Sequence, residues 1–293
     1  MSITFRRLAL PALLSLVLPH ADASLLGVTN DNRLWDLNTT TGAASNPRAI
    51  TGLSVGASEI VTGLTAIGSV LYGYTNASRL YSINSTTAAA TLIGTGTVAG
   101  SDIAYDPLSG NIFGLTSGTV ATMFTLNPAN AATTTVGSHN SPFNEPPQAG
   151  GGLVSENRAS LTFSPGGALW GTTRTVSLNV DSVTELRQYD PVTGQILQRI
   201  DDGSSFDAGE GDIAFDPQTG LLYYADGPSL STGSLFILST TSGDVTEVGI
   251  TGVSATNSIG FTGLAFTDVP EPSSMLLLGY GILLLAKRYR RSS

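Results

Sequence analysis

Cysteine is absent from this chain of 293 residues, and histidine is nearly so, with only His20 and His139. Without cysteine there is neither a disulfide framework nor a thiol for lipid attachment. The sequence also lacks a Gly-x-Ser-x-Gly nucleophile turn and any pair of histidines at metal-binding spacing. These last two absences argue against common hydrolase and zinc-enzyme classes. Because there are no disulfides, stability must come from core packing and turns.

Basic side chains are scarce between the two ends of the chain. Six of the 13 basic residues, but only two of the 22 acidic ones, lie within residues 1–23 and 269–293. The body over residues 24–268 therefore has a net charge of about −13 and no lysine. Nucleic acids and anionic lipids bind basic surfaces, because binding releases their counterions. We therefore expect no nucleic-acid partner.

The N-terminus has the three parts of a secretory signal peptide. Two arginines precede an apolar stretch over residues 8–18, and a polar region then ends at Ala21 and Ala23 in a small-x-small pattern. This pattern is typical of a signal-peptide cleavage site. The sequence predicts a signal peptide over residues 1–23 and a mature body over residues 24–268.

The C-terminus carries a Pro270-Glu271-Pro272 tripeptide, a short apolar run over residues 275–286 and a basic tail. The basic residues of the tail are Lys287, Arg288, Arg290 and Arg291. The apolar run is shorter than the ~20 residues that span a bilayer comfortably, and the cations beyond it resist crossing. The two prolines end any upstream structure and leave Glu271 in an extended segment. Residues 269–293 resemble the bacterial PEP-CTERM sorting signal, with its transmembrane helix.

The resemblance to PEP-CTERM proteins implies processing by an exosortase near the Pro-Glu-Pro tripeptide. It also implies a Gram-negative host that makes exopolysaccharide, with a transient inner-membrane intermediate and a final place at the cell surface or in the extracellular matrix. The alternative is an ordinary C-terminal membrane anchor, which needs no Pro-Glu-Pro tripeptide.

The body contains five repeats, each opened by a similar strand sequence. These strands begin at Leu25, Leu71, Ile112, Leu169 and Leu222, at spacings of 41 to 57 residues. Three further alternating segments follow in each repeat, separated by Gly-containing turns. Five repeats of four strands at this period predict an all-β protein, a five-bladed β-propeller of antiparallel strands. A β-helix or a β-sandwich is the alternative.

Two segments of the body share the pattern Asp-Ile-Ala-(Tyr/Phe)-Asp-Pro-x-(Ser/Thr)-Gly, at residues 102–110 and 212–220. In this respect the body resembles repeat propellers of secreted bacterial proteins. The Asp-Pro-x-x-Gly turn predicts a hairpin from the fourth strand of one repeat to the first strand of the next. Each blade then takes strands from two repeats, and the strand at Leu25 pairs with the strand at Phe266 to close the ring.

Acidic residues supply the candidate site. Asp102 and Asp212 occupy equivalent places before a fourth strand, where we expect them to cap or latch blades. A Gly-rich acidic loop is the best candidate for calcium, with Asp201, Asp202, Asp207, Glu210 and Asp212 as ligands. Its spacing departs from the helix-loop-helix calcium loop, and a solvated acidic loop is the alternative. A long insertion over residues 137–152, with His139, is a second place where function could sit.

These features predict an exported, non-enzymatic surface or matrix protein that binds through its propeller face, with calcium as the one candidate cofactor. Polar Asn, Thr and Ser side chains, with exposed Tyr and Trp in the loops, would suit sugar contacts with an exopolysaccharide. The competing class is a propeller enzyme of lactonase-like or quinoprotein-like type, because one fold supports many functions.

Overall fold

The structure is a computed structural model that describes residues 23–54, 58–117, 120–140, 155–176, 183–200, 211–227, 233–253 and 259–267. These residues form twenty β-strands. The strands are β1 (Ser24–Thr29), β2 (Arg33–Leu37), β3 (Ala44–Ala49), β4 (Val61–Ile67), β5 (Val70–Thr75), β6 (Arg79–Ile83), β7 (Ala90–Thr95), β8 (Asp102–Tyr105), β9 (Ile112–Leu115), β10 (Val120–Leu126), β11 (Thr133–Asn140), β12 (Ser155–Phe163), β13 (Leu169–Val176), β14 (Val183–Tyr189), β15 (Ile196–Ile200), β16 (Asp212–Phe215), β17 (Leu222–Ala225), β18 (Ser234–Leu238), β19 (Val245–Ile250) and β20 (Phe261–Thr267).

The strands pair into five antiparallel sheets of four, which are the blades of a propeller. Blade 1 has the order β20-β1-β2-β3, and blades 2 to 5 are β4–β7, β8–β11, β12–β15 and β16–β19 in sequence order. The fold class predicted from the repeats is confirmed. Three predicted strands, at residues 33–37, 79–83 and 234–238, begin and end as expected.

Blade 1 closes the ring with both ends of the body, as predicted. Leu25 pairs with Phe266, and Ser24 at the start of β1 pairs with Thr267 at the end of β20. Because β20 joins a sheet whose other strands come from the N-terminus, the chain ends supply the closing contact. This arrangement covers edges that an open array would expose.

The first strand of each blade in spatial order faces the axis, and we call β4, β8, β12, β16 and β20 the inner strands. Each inner strand contacts the inner strands of both neighbouring blades, from β4 through β8, β12 and β16 to β20 and back to β4. The outer strands β3, β7 and β19 consist of half-buried and exposed residues. The inner strands β8, β16 and β20, in contrast, are almost wholly buried.

Five hydrophobic clusters hold the blades together, one at each interface. The cluster between blades 2 and 3, for example, packs Tyr74 and Leu80 against Ile103 and Phe124. The cluster between blades 5 and 1 packs Leu235 against Phe261. The remaining three clusters lie between blades 1 and 2, 3 and 4, and 4 and 5. Since no blade has a core of its own, the ring is stable only as a whole.

The Asp-Pro-x-x-Gly segments form turns, as predicted. Asp106 Oδ1 accepts a hydrogen bond from the Leu108 backbone N–H at 2.9 Å, and Gly110 has a φ of 73°. The equivalent turn at Asp216 has the same geometry, with a φ of 72° at Gly220. Asp provides a local acceptor and Gly the positive φ, so these residues are accounted for by turn geometry.

The insertion in the third repeat begins later than expected. Residues 137–140 belong to β11, where they pair with β10 over residues 120–123. Residues 141–154 lie outside the described residues. Within the part of the chain that the structure describes, no helix is long and apolar enough to cross a membrane. The predicted signal peptide and the predicted C-terminal transmembrane helix lie outside that part.

Candidate functional site

The five inner strands begin around the mouth of the central channel, and one layer of residues closes it. This layer, which we call the channel plug, consists of the residue that precedes the buried leucine or isoleucine of each inner strand. Its members are Gly63, Asp102, Ser160, Asp212 and Gly263. The side chains of Asp102, Ser160 and Asp212 are buried, with 1–2 % of each residue exposed.

Both aspartates of the channel plug bind the inner strand of the next blade. Asp102 Oδ2 accepts a hydrogen bond from the Leu161 backbone N–H at 2.5 Å, which joins β8 to β12. Asp212 Oδ2 accepts one from the Leu264 N–H at 2.5 Å, which joins β16 to β20. The sequence-based expectation that these aspartates latch blades is therefore confirmed. A charged acceptor makes such hydrogen bonds short and strong.

The other three junctions between inner strands also carry a bond to the backbone. They are Thr262 Oγ1 to the Val61 carbonyl at 2.7 Å, the Tyr105 N–H to Thr65 Oγ1 at 2.9 Å, and the Phe215 N–H to Thr162 Oγ1 at 3.3 Å. Every junction of the ring thus has a side chain that satisfies a backbone group of the neighbouring blade. Hydroxyl groups serve at three junctions, and carboxyl groups at two.

The two glycines of the channel plug stand where a side chain would collide with the neighbouring inner strand. A Cβ atom on Gly63 would lie 2.5 Å from Asp102 Oδ1 and 2.7 Å from the Asp102 Cα atom. A Cβ atom on Gly263 would lie 2.7 Å from the Leu64 Cβ atom and 2.9 Å from its backbone nitrogen. Gly63 therefore leaves the space that Asp102 occupies, and Gly263 lets β20 pack closely against Leu64 of β4.

The two carboxyl groups also lie close enough to interact electrostatically, although they belong to blades 3 and 5. Burial raises the pKa of Asp102 well above its ordinary value, and repulsion from Asp212 raises it further. Burial also raises the pKa of Asp212, to about 7, although hydrogen bonds from Ile213, Asp102 and Leu264 lower it in part. Burial and mutual repulsion together make these carboxyls bind protons more tightly than exposed aspartates do.

One oxygen atom of the channel plug is buried without a donor. Asp102 Oδ1 has no hydrogen-bond partner among the described residues. A buried acceptor without a donor costs about 1–3 kcal/mol.

A cavity of about 230 Å³ lies at the mouth of the channel, next to the channel plug. Its lining is mostly small and polar, including Thr62, Asn76, Ser101, Ser117 and Thr262. A cavity of this size has room for one small group, since pockets for drug-sized ligands measure ~300–1,000 Å³. A second cavity of about 120 Å³ lies farther along the inner strands and is lined partly by aromatic rings.

The residues predicted as site residues divide between described and undescribed parts of the chain. Asp212 lies in the channel plug, and Ala23 directly precedes β1. The other calcium candidates, Asp201, Asp202, Asp207 and Glu210, lie outside the described residues, as do Ala21 and the sorting residues Pro270, Glu271, Pro272, Lys287, Arg288, Arg290 and Arg291. Among the residues that the structure describes, no group of three or more His, Cys, Asp or Glu is placed to hold a metal.

The expectation of exposed aromatic side chains is wrong for the described residues. Trp170 and Tyr223 are buried, and Trp35, Tyr72 and Tyr105 are half-buried. The Trp35 indole N–H donates a hydrogen bond to Thr29 Oγ1 at 3.2 Å. The rings lie between blades because their large area stabilises the blade interfaces. Sugar contacts at the described surface would therefore depend on hydroxyl, amide and carboxyl groups.

Residues 268–291 match the PEP-CTERM protein-sorting motif. The terminal resemblance read from the sequence is thereby confirmed. The motif implies processing by an exosortase, export, and sorting at a membrane. No curated protein is a detectable relative of this chain.

Solved structures with a similar fold include proteins without a known function and enzymes. A protein of unknown function from Bacteroides caccae is 14% identical, with 78% of this chain and 73% of that chain covered and a TM-score of 0.42. A putative 6-phosphogluconolactonase from Bacteroides fragilis is 13% identical, with coverage of 78% and 81% and a TM-score of 0.40. An engineered GH43 glycoside hydrolase is 9% identical, with coverage of 64% and 41% and a TM-score of 0.46. At such identities and scores, these proteins indicate nothing about what this chain binds.

Proposed function

We propose that this five-bladed propeller, exported and sorted by its PEP-CTERM tail, is a non-enzymatic binding module of the cell surface or extracellular matrix, with exopolysaccharide as its ligand. The observation that carries the proposal is the match of residues 268–291 to the sorting motif. An acidic body of this kind suits a hydroxyl-rich, uncharged ligand better than a polyanion, because like charges repel.

The cavity at the channel mouth is the best candidate for the ligand contact. Hydroxyl groups of Ser101, Ser117 and Thr262 and the amide of Asn76 line it. Such groups exchange hydrogen bonds with sugar hydroxyls as readily as with water. Because the cavity is small, it would accept one sugar residue or a chain end, while the rest of the polymer stays outside.

The alternative of a propeller enzyme has one specific observation in its favour, the pair of carboxyl groups beside this cavity. Three of their four oxygen atoms, however, accept hydrogen bonds from the backbone N–H groups of Leu161, Ile213 and Leu264. A catalytic carboxyl needs a free oxygen atom to reach the substrate or a water molecule. Because backbone groups occupy most of the oxygens here, a structural role accounts for the pair better than a catalytic one.

The sorting part of the proposal is tested at the tripeptide. We expect Glu271→Ala to leave the C-terminal segment attached, because the tripeptide loses the one charged residue between its prolines. The mass of the protein recovered from cells reports this directly, with an increase equal to the retained tail. Asp244→Ala, in the exposed turn between β18 and β19 and outside the motif, is the control. Normal processing of the Glu271 variant would contradict the proposal.

The binding part is tested with the mature protein and exopolysaccharide purified from the host. We expect saturable binding that Ser117→Tyr weakens at least about 10-fold, because a ring at the exposed edge of the cavity blocks entry. Ser69→Tyr makes the same change in the exposed turn between β4 and β5, at the opposite end of the strands, and should leave affinity unchanged. Equal binding by both variants, or turnover of lactones or alcohols by the protein, would count against a binding module that uses this cavity.

Calcium binding by Asp201, Asp202, Asp207, Glu210 and Asp212 stays a prediction from the sequence. Asp212 Oδ1 and Oδ2 accept hydrogen bonds from Ile213 and Leu264. We therefore expect any calcium site in this segment to use the other four carboxyl groups and backbone carbonyls, which are the ligands that calcium prefers.

A further inference from the structure

We propose that the cavity at the channel mouth selects a sugar that carries a protonated primary amine, and that the ammonium group of this sugar binds Asp102. The inference rests on the proposed function, because it takes the same cavity as the ligand contact, and it adds the chemical class of the sugar. An acidic body attracts cations for the same reason that it repels polyanions. The ligand is then an exopolysaccharide that contains unacetylated amino sugars.

Two buried aspartates from different blades line this cavity. Asp102 is the first residue of β8 and Asp212 the first residue of β16, and 1–2 % of each is exposed. Three of their carboxyl oxygens accept hydrogen bonds from backbone N–H groups. Such bonds favour the ionised form of a carboxyl group, and a bound ammonium group would favour it further.

The fourth carboxyl oxygen, Asp102 Oδ1, is the one to which no described residue donates a hydrogen bond. A ligand that donates an N–H here removes the cost of a buried acceptor without a donor. A sugar hydroxyl could also donate, but a hydrogen bond between two charged groups is about twice as strong as one between neutral groups. The unsatisfied oxygen therefore favours an ammonium group over a hydroxyl group.

No positive charge of the described side chains balances the two aspartates. None of the described arginines lines the cavity, and the body has no lysine. A cation from solution can therefore supply the missing charge. Four described arginines form ion pairs elsewhere: Arg33 with Asp31, Arg48 with Asp36, Arg79 with Glu59, and Arg187 with Glu185.

The groups around the cavity suit an ammonium group better than a calcium ion. Calcium takes about six to eight oxygen ligands, including several carboxylate oxygens. Backbone N–H groups already occupy most of the carboxyl oxygens here, and within the described ranges no group of three or more His, Cys, Asp or Glu is placed to hold a metal. An ammonium group needs one carboxylate and nearby neutral acceptors. The hydroxyls of Ser101, Ser117 and Thr262 line the same cavity.

Isothermal titration calorimetry of the mature protein compares glucosamine with glucose at about pH 7, where amines of this type are mostly protonated. The two sugars differ only in an ammonium group that replaces one hydroxyl group. We expect glucosamine to bind at least about 10-fold more tightly than glucose. Ethylamine has the charge without the sugar hydroxyls and should bind more weakly than glucosamine. Equal affinities for ethylamine and glucosamine would overturn the assignment to a sugar.

Asp102→Asn removes the charge and keeps an oxygen acceptor for the Leu161 N–H. We expect this variant to bind glucosamine at least about 10-fold more weakly, with little change for glucose. Asp244→Asn removes the same charge in the exposed turn between β18 and β19 and should leave both affinities unchanged. Because the two sugars are also compared on the unmodified protein, the outcome does not depend on whether Asp102→Asn folds.

The same protein is titrated with exopolysaccharide from the host, which separates this inference from the proposed function. Binding of the polysaccharide with equal affinities for glucosamine and glucose would overturn the preference for an amine and leave the proposed function intact. A preference for glucosamine without binding of the polysaccharide would support the amine site and count against the proposed function. Displacement of glucosamine by an equal concentration of calcium would overturn the inference, because the cavity would then hold a metal ion.

Discussion

We expect truncation after Gly260 to abolish the cooperative unfolding of the propeller, and truncation after Asp268 to preserve it. The shorter chain lacks β20, which pairs with β1 and contacts the inner strands β4 and β16. Phe261 and Leu264 of this strand are buried between blades 5 and 1. Each such side chain contributes about 1.5–3 kcal/mol, and two inter-blade junctions disappear as well. The sum is comparable with the 5–15 kcal/mol that stabilises a typical domain.

Differential scanning calorimetry on the two truncated proteins measures this effect. The longer chain ends one residue beyond β20 and lacks only the sorting segment, so it is the matched control. A single sharp transition in both proteins would mean that the ring does not need its closing strand. Because each cluster lies between two blades, we expect instead that the shorter chain has a broad transition and exposes its apolar interfaces.

Gly63→Ala is expected to destabilise the protein by about 3 kcal/mol or more, near the upper end of the range for overpacked sites. The new Cβ atom would meet the Asp102 Cα atom at 2.7 Å and the Ile103 nitrogen at 2.8 Å, and neither backbone atom can move without shifting β8. The substitution would also press on Asp102 Oδ1 and so disturb the carboxyl pair. Urea denaturation of the variant and the unmodified protein measures the change in the free energy of unfolding, provided that the two have the same m-value.

Gly166→Ala provides the control for this substitution. A Cβ atom at Gly166 would meet only the Ser164 Oγ atom, at 3.8 Å, which is an ordinary contact. Alanine there should leave stability unchanged or raise it slightly, because it reduces the conformational entropy of the unfolded chain. Equal losses at both positions would show that general glycine flexibility, and not the space in the channel plug, decides the effect.

Local patterns in the sequence predicted most of the secondary structure and its order. Alternation of apolar residues predicts strands such as Arg79–Ile83, because one face of each strand must be buried. Asp-Pro-x-x-Gly predicts the hairpins at Asp106 and Asp216, because the conformations of Pro and Gly are fixed within a few residues. The phase of the repeat then predicts the pairing of β1 with β20, since a hairpin assigns both of its strands to one sheet.

The sequence predicted only part of the candidate site. Equivalent positions in two repeats indicated that Asp102 and Asp212 latch blades, but not that they lie close to each other. The expected exposure of Tyr and Trp failed because a propeller without a separate core places its largest side chains between blades. The sequence did contain a signal for this layer of residues. Gly63 and Gly263 occupy, in two other repeats, the position that the aspartates occupy in theirs.

By itself the sequence determined the strands, the turns, the ring closure and the sorting motif at the C-terminus, because each depends on residues that are neighbours along the chain or recur at a regular period. Tertiary structure alone decided that carboxyl groups on two non-adjacent blades come together in a buried layer, which raises the pKa of both. A contact between residues 110 positions apart depends on how tightly five blades close around the axis, and packing of the whole ring sets that distance.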